Sequence, residues 1–441
     1  MINVKFNYND QSEKIRPMHC VGGGPKSGGA SLSTDASGFF KEIGVPSCRL
    51  HDIEGAYGTN QFVDVHCVFP DFDADENDDR NYNFAATDKY LTAIKNCGAN
   101  VFYRLGESID HYEKKLFVRP PKDFEKWARI CEHIIRHYNQ GWAYGYYMDI
   151  EYWEIWNEPE SRAMWTGTYD EFYEFYSVVS KHLKKCFPNL KIGGYSAVGF
   201  YSEVRNHDHD WYNPWFNTMM PFLDGFFNYV KDKDVPLDFF SWHSYALSAE
   251  EMGQAAKFIR AYLDQKGYQK TESFLTEYNV YYTLNATAWA EKPQYASDIL
   301  SSLIVAQNSP LDRLYLYDLR LSMYNGVFYR DPLDRKLKIL PAFYAMKFFG
   351  DLYRLGTAVK SDYDNEKGVY VLCATDGKTK GVAIADREFG DELCLEVDSQ
   401  SVHVVEVSTQ IGAQPKEYDI SVKDNKCVLK TQKQYLYYLT F

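Results

Sequence analysis

Two glutamates stand where carboxylates can do chemistry. The string Glu154-Ile155-Trp156-Asn157-Glu158-Pro159 closes an apolar run, 152–156, that reads as a buried strand, and the proline after it cannot continue one. A second string, Phe274-Leu275-Thr276-Glu277-Tyr278, sets another glutamate at the end of another apolar run. Two carboxylates at the ends of two strands are the minimum set for cleaving a glycosidic bond. One protonates the leaving oxygen; the other attacks the anomeric carbon or activates a water. Asn157, beside Glu158, is suited to hydrogen-bond a sugar 2-OH, a contact that strengthens in the transition state. A lone glutamate in a strand-end loop is ordinary, so Glu277 by itself carries little. An Asn-Glu pair ending an apolar strand is costly without use.

The rest of the chain supplies elements able to hold such a pair. Strand-like runs at 18–21, 45–50, 100–105, 152–156, 190–194, 237–242, 274–278 and 313–317 alternate with helical patterns. Phe124, Trp127, Cys131, Ile134 and Tyr138 make one helical stripe, and Phe172, Phe175, Val179 and Leu183 another. Ser33 or Thr34 is expected to cap a short helix that Gly44 stops, and a further helix to start near Thr87. Thr168-x-x-Glu171 and Ser248-x-x-Glu251 read as capping boxes. Eight such units predict an α/β fold, a (β/α)₈ TIM barrel over residues 16–352. Beyond Gly356 short alternating runs at 369–373, 382–385, 393–397 and 402–407 are separated by turns such as Asp376-Gly377. They predict a smaller antiparallel β-sandwich over 353–441, of structural use only, which residues 1–15, with Val4 and Phe6 alternating, are expected to join.

The two glutamate strings resemble those of the clan A glycoside hydrolases, retaining (β/α)₈-barrel enzymes with Asn-Glu-Pro after strand four and a second glutamate after strand seven. Within that clan the chain is most similar to glycoside hydrolase family 39, which includes β-xylosidases and α-L-iduronidases. Further matching strings are Arg49-Leu50-His51, Tyr82-Asn83-Phe84 with Thr87-Asp88, the run from Asp238 to Tyr245, and Pro341-Ala342-Phe343-Tyr344-Ala345. The resemblance implies that Glu158 is the acid/base and Glu277 the nucleophile. Two positions depart from the family pattern: Asp52 follows His51 where glycine is usual, and the eighth strand, Leu314-Tyr315-Leu316-Tyr317-Asp318, lacks the common tryptophan.

In such a barrel site residues lie at the C-terminal ends of strands. That rule selects Arg49, His51 and Asp52 after strand two, Glu107 after strand three, His243 and Tyr245 after strand six, and Asp318 and Arg320 after strand eight. Arg49 beside the nucleophile would lower the Glu277 pKa, and Tyr245 would donate to its second oxygen. His243 is expected to contact sugar hydroxyls, and Glu107 and Asp318 each to grip a hydroxyl pair. Asp71-x-Asp73-x-Asp75-x-Asn77-x-Asp79 imitates a calcium loop, but Glu76 and Tyr82 stand where that loop needs Gly and Glu. It reads as a solvated acidic loop that could wall the sugar site, and no metal or cofactor is expected. The glycine-rich stretch 22–25 with Gly28-Gly29 lacks phosphate-loop spacing and reads as a close approach to the barrel mouth.

Composition narrows the partner. The net charge of −13 argues against nucleic acid and, more weakly, against acidic sugars. Aromatic residues make up 17% of the chain, and their faces suit sugar rings. Nine cysteines without a C-x-x-C pair, and a start, Met1-Ile2-Asn3, without a signal pattern, predict a cytoplasmic protein with free thiols. No run is apolar and long enough to span a bilayer, so no membrane partner is expected. The sequon Asn285-Ala286-Thr287 is then without consequence. The expected partner is a small neutral carbohydrate, cleaved by a retaining exo-glycosidase of β-xylosidase type. The chain is also compatible with a homo-oligomer. The same machinery would serve α-L-arabinofuranosides. A non-catalytic sugar-binding barrel would be expected to lack one glutamate, and both are present.

Overall fold

A computed structural model describes the chain apart from residues 11–12, 28–31, 54–61, 211, 282–291, 293 and 322–324. Eight parallel strands close into a barrel: Cys20–Gly22, Ser47–Leu50, Asn100–Leu105, Tyr152–Ile155, Lys191–Ala197, Phe239–Ala246, Glu272–Val280 and Arg313–Leu316. Each is followed by an outer helix: Ser37–Ile43, Ala85–Asn96, Phe124–Gln140, Tyr169–Cys186, Met219–Asp232, Ala249–Lys266, Tyr295–Gln307 and Ala342–Leu355. The predicted TIM barrel is thus present, its strands overlapping the periodic runs.

Side chains alternate across a strand, so residues two apart share the barrel interior. At the N-terminal end that interior is apolar, where Phe102, Tyr152, Phe239, Phe274 and Tyr315 pack on one another with Cys20. Two residues further on the same strands turn polar: Tyr152 is succeeded by Glu154, Phe274 by Thr276, and Phe239 by Ser241 and His243. All of these polar groups are buried. A buried aromatic floor therefore lies under a polar layer, and that layer opens at the C-terminal mouth.

The helix Phe124–Gln140 shows how an outer element is fixed. The Asp123 side chain accepts from Lys126 N–H, Gly141 ends the helix at φ 73°, and Trp127, Cys131, Ile134 and Tyr138 are buried as one stripe. At Thr168 the capping box is complete. At Ser248 only half of it forms: the hydroxyl accepts from Glu251 N–H, while the Glu251 carboxylate pairs with Arg205 at 2.6 Å. Neither Ser33 nor Thr34 caps the first helix, because Thr34 lies in a two-residue strand pairing with Ser27. The carboxylate of Asp35 accepts from Ser37 N–H instead, at 2.9 Å. The first helix ends at Gly44, φ 74°, as expected, and the second begins at Ala85.

The C-terminal strands and Ile2–Asn7 form one hydrogen-bonded series of nine, antiparallel except where Ile2–Asn7 runs parallel to Glu392–Glu396. Lys416–Ser421 and Lys426–Lys430 are neighbours in sequence yet occupy opposite ends of that series, so the sheet folds over on itself. Val4, Val371, Ile384, Leu395, Val404 and Leu429 share the core thus enclosed. On its other face Tyr370, Leu372, Ala383 and Tyr438 join the core of the barrel. That explains why Val369–Thr375 is buried throughout rather than alternately.

Candidate active site

Glu158 and Glu277 meet across the mouth. One oxygen from each carboxyl and a ring nitrogen of His243 lie within 4.8 Å of one another. Beneath them Arg49, buried at the end of strand two, ties four strands together. Its Nε donates to Glu154 Oε2 at 2.7 Å, Nη1 to Glu277 Oε1 at 2.9 Å, and Nη2 to Asn157 Oδ1 at 2.6 Å and Ser196 Oγ at 2.8 Å. The Tyr245 hydroxyl donates to Glu277 Oε2 at 3.1 Å, so both Glu277 carboxyl oxygens are held. Asp52, Trp156, Glu158 and Ser196 all adopt left-handed φ values, between 44° and 71°, at the ends of strands two, four and five. Non-glycine residues in that region cost energy and gather where geometry is imposed by function.

His243 links Glu158 to Ser196. Its Nδ1 lies 2.7 Å from Glu158 Oε1 and its Nε2 3.0 Å from Ser196 Oγ. Ser196 has one proton to give, and Glu154 Oε1, at 2.9 Å, can only accept it. Arg49 fills one lone pair of that hydroxyl; the Thr276 hydroxyl, also at 2.9 Å, has Trp242 O at 3.4 Å as an alternative acceptor. The Ser196–His243 bond then requires hydrogen on Nε2, which leaves Nδ1 bare. A bare nitrogen facing Glu158 is satisfied only by a carboxylic acid.

The protonation tendencies agree. Burial pushes Glu158 up to about 7, with Arg49 opposing and Asp52 adding to the rise. Burial lowers His243 to about 4 and takes His51 well below its usual range, so both rings are neutral near pH 7. Glu277 is also raised, by burial first. His243 and Arg49 pull it down, in the direction expected of Arg49, but desolvation outweighs them.

A cavity of about 620 Å³ opens above the pair, lined among others by His51, Asp52, Glu158, Tyr245, Glu277 and Tyr317. Of the residues predicted from strand ends, Arg49 and His243 lie beneath this floor with Asn157, all buried. Three predicted residues stand elsewhere. Glu107 accepts from the backbone N–H of His66 and pairs with its ring, and it does not line the cavity. Asp318 and Arg320 form an ion pair behind the wall, where Arg320 donates to the Tyr317 hydroxyl and the Asp52 carbonyl. The acidic loop 71–79 does not wall the site either, since Asp73 and Glu76 pair with Lys122 and Arg129 beside the third helix. Gly23, at φ 78°, leaves room for the Arg320 side chain, which a Cβ there would meet at 2.4 Å. Gly28, Gly29 and the Asn285 sequon fall outside the described residues.

Glu154, Ser196, Tyr317 and the segment carrying Arg205, Asp210, Tyr212 and Phe216 were not singled out from sequence. Ser196 stands at a strand end, where the same rule applies, and Glu154 is a charge inside an aromatic strand. Among the described residues three clusters have ion-binding geometry: Glu158–His243–Glu277, Asp64–His66–Glu107 and Glu132–His182–Cys186. Each already has an arginine on one of its carboxylates, Arg49, Arg104 and Arg136 respectively, which opposes a cation. All nine cysteines are free thiols, and no helix among the described residues is long and apolar enough to cross a membrane.

A parallel barrel with two facing glutamates and an arginine beneath them is the framework of a glycoside hydrolase. The chain belongs to glycosyl hydrolases family 39, whose model matches residues 4–317. It is 24% identical to a β-xylosidase of Geobacillus stearothermophilus over 321 residues, 63% of this chain and 59% of that protein, so it spans about three fifths of that relative. Its fold is similar to that of a glucosidase from Croceicoccus marinus, with a TM-score of 0.80 at 20% identity over 100% of this chain and 98% of that one. It is also similar to a family 51 α-L-arabinofuranosidase from Thermotoga petrophila RKU-1, with a TM-score of 0.69 at 14% identity and full coverage of both chains.

Proposed function

We propose that this glycosidase is a cytoplasmic, retaining, exo-acting enzyme of β-xylosidase type that cleaves a small neutral glycoside by double displacement. One observation supports the mechanism: one oxygen of Glu158 and one of Glu277 lie within 4.8 Å of each other, on the side of the shorter spacing. Retaining enzymes hold their carboxyls about 5 to 5.5 Å apart, whereas inverting ones need about 6.5 to 9.5 Å to admit a water. In the first step Glu277 attacks the anomeric carbon while Glu158 gives its proton to the leaving oxygen. In the second, Glu158 as carboxylate takes a proton from water, and that water releases the sugar from Glu277. The β-xylosidase relative favours a β-D-xyloside, and the likeness to an α-L-arabinofuranosidase keeps that sugar as the second candidate.

Proton NMR of the first-formed sugar, released from 4-nitrophenyl β-D-xyloside or α-L-arabinofuranoside, tests the reading. Net retention is expected, and an inverted first product excludes the covalent intermediate on Glu277.

A further inference from the structure

Besides Glu158 and Glu277 the cavity is lined by Asp52 and Asp210, two carboxylates that neither step of the displacement uses. Asp52 lies just beyond strand two, and its side chain opens on the cavity. Its orientation is fixed on both oxygens. Ile109 N–H donates to Oδ1 at 3.2 Å, the Tyr317 hydroxyl donates to Oδ2 at 3.2 Å, and His51 Nε2 lies 3.4 Å from Oδ1. Arg320, braced by Asp318, donates to its carbonyl. A carboxylate offers about four lone-pair positions, so these donors leave acceptor capacity toward the cavity. The same His51 nitrogen is 3.8 Å from Glu277 Oε1. Asp52 therefore stands beside the ring of any sugar whose anomeric carbon meets the nucleophile.

The walls carry no compensating charge for an anion. Asp52, Glu158, Asp210 and Glu277 are all carboxyls; among the described lining residues there is no lysine. The one arginine there, Arg205, is engaged by Glu251 at 2.6 Å and by the Tyr245 carbonyl at 2.8 Å. We infer that Asp52 is a specificity-determining residue that accepts hydrogen bonds from glycone hydroxyls and repels a glycone carboxylate, so that the site admits neutral sugars and excludes uronic acids. This assignment rests on the glycosidase reading above and narrows its substrate. Two like charges about 6 Å apart at an effective dielectric of about 20 repel by about a hundredfold in binding.

The test measures binding, not turnover. In a Glu277→Gln background, titration calorimetry with 4-nitrophenyl β-D-xyloside, the corresponding α-L-arabinofuranoside and 4-nitrophenyl β-D-glucuronide should show the better neutral ligand bound about a hundredfold more tightly than the uronide. Adding Asp52→Asn should weaken the neutral ligand about tenfold and narrow that ratio to about tenfold or less. Asp52→Gly is the second variant: with φ at 50° glycine accepts this backbone without strain, so a folded protein is expected. A neutral-to-uronide ratio unchanged in both variants overturns the assignment. The retention assay on the unmodified chain fails independently if the glycosidase reading is wrong.

Discussion

Glu158 should set the alkaline limb of the pH–rate profile. Its carboxyl is pushed up to about 7, and the ring nitrogen facing it at 2.7 Å accepts a hydrogen bond from the protonated form. For a single acid of that pKa, kcat/KM should fall to roughly one-tenth of its plateau at pH 8 and roughly one-hundredth at pH 9. The sign follows from the role: the acid must be protonated, so activity is lost as pH rises through 7. Glu158→Ala should remove this limb when the leaving group is an activated phenol, which needs little protonation. On a poor leaving group such as an alkyl alcohol the variant should lose about 10² to 10⁴ in kcat/KM. Steady-state kinetics on paired aryl and alkyl glycosides from pH 4 to 10 measures both effects. A limb near 7 that survives in Glu158→Ala, or equal losses on both substrates, refutes the assignment.

Glu277→Gln should abolish turnover while the sugar still binds, because it removes the atom that forms the covalent intermediate; a variant that keeps most of the wild-type rate would unseat the nucleophile. Arg49→Met should destabilise the fold by about 3 to 5 kcal/mol, since Glu154 and Glu277 lose the buried cation they share; urea unfolding reads this, and a loss under about 1 kcal/mol would contradict it. Ser196→Ala should shift the alkaline limb below 7, because His243 is freed to carry hydrogen on Nδ1 and stabilise ionised Glu158; an unmoved limb would mean that the tautomer is set elsewhere.

The strands were legible because their apolar runs recur between helical stripes, and such periodicity survives small errors at element ends. Glu158 was legible because an Asn-Glu pair ending an apolar strand conflicts with its surroundings, whereas Glu277, ordinary by itself, was legible only as its counterpart. Strand ends gave the height of a residue in the barrel but not its direction. Glu107 leaves strand three toward the His66 ring, and Asp318 and Arg320 pair behind Tyr317; nothing in their spacing marks that outward turn. Ser196 is a common residue type whose use appears only when its four partners are counted. The described wall residues from 205 to 210 and 212 to 216 lie largely outside regular periodic structure, so no pattern announced them.

Sequence alone also cannot explain why two glutamates in one cavity would take the different roles proposed for them; their surroundings can. Glu277 accepts from Arg49 at 2.9 Å and from the Tyr245 hydroxyl at 3.1 Å, one charged donor and one neutral, and both favour its anion. Glu158 is raised to about 7 and faces the bare nitrogen of a neutral imidazole, which favours its acid. Both groups are pushed up by burial, so one proton shared between them settles on the residue without a direct cationic partner. Because Glu154 consumes the Ser196 proton, Arg49 and Ser196 together set both halves of that asymmetry: one holds the Glu277 charge and the other fixes the ring that accepts a hydrogen bond from Glu158. Exchanging the roles of the two glutamates would require moving Arg49, and with it the four-strand network that holds the floor of the site.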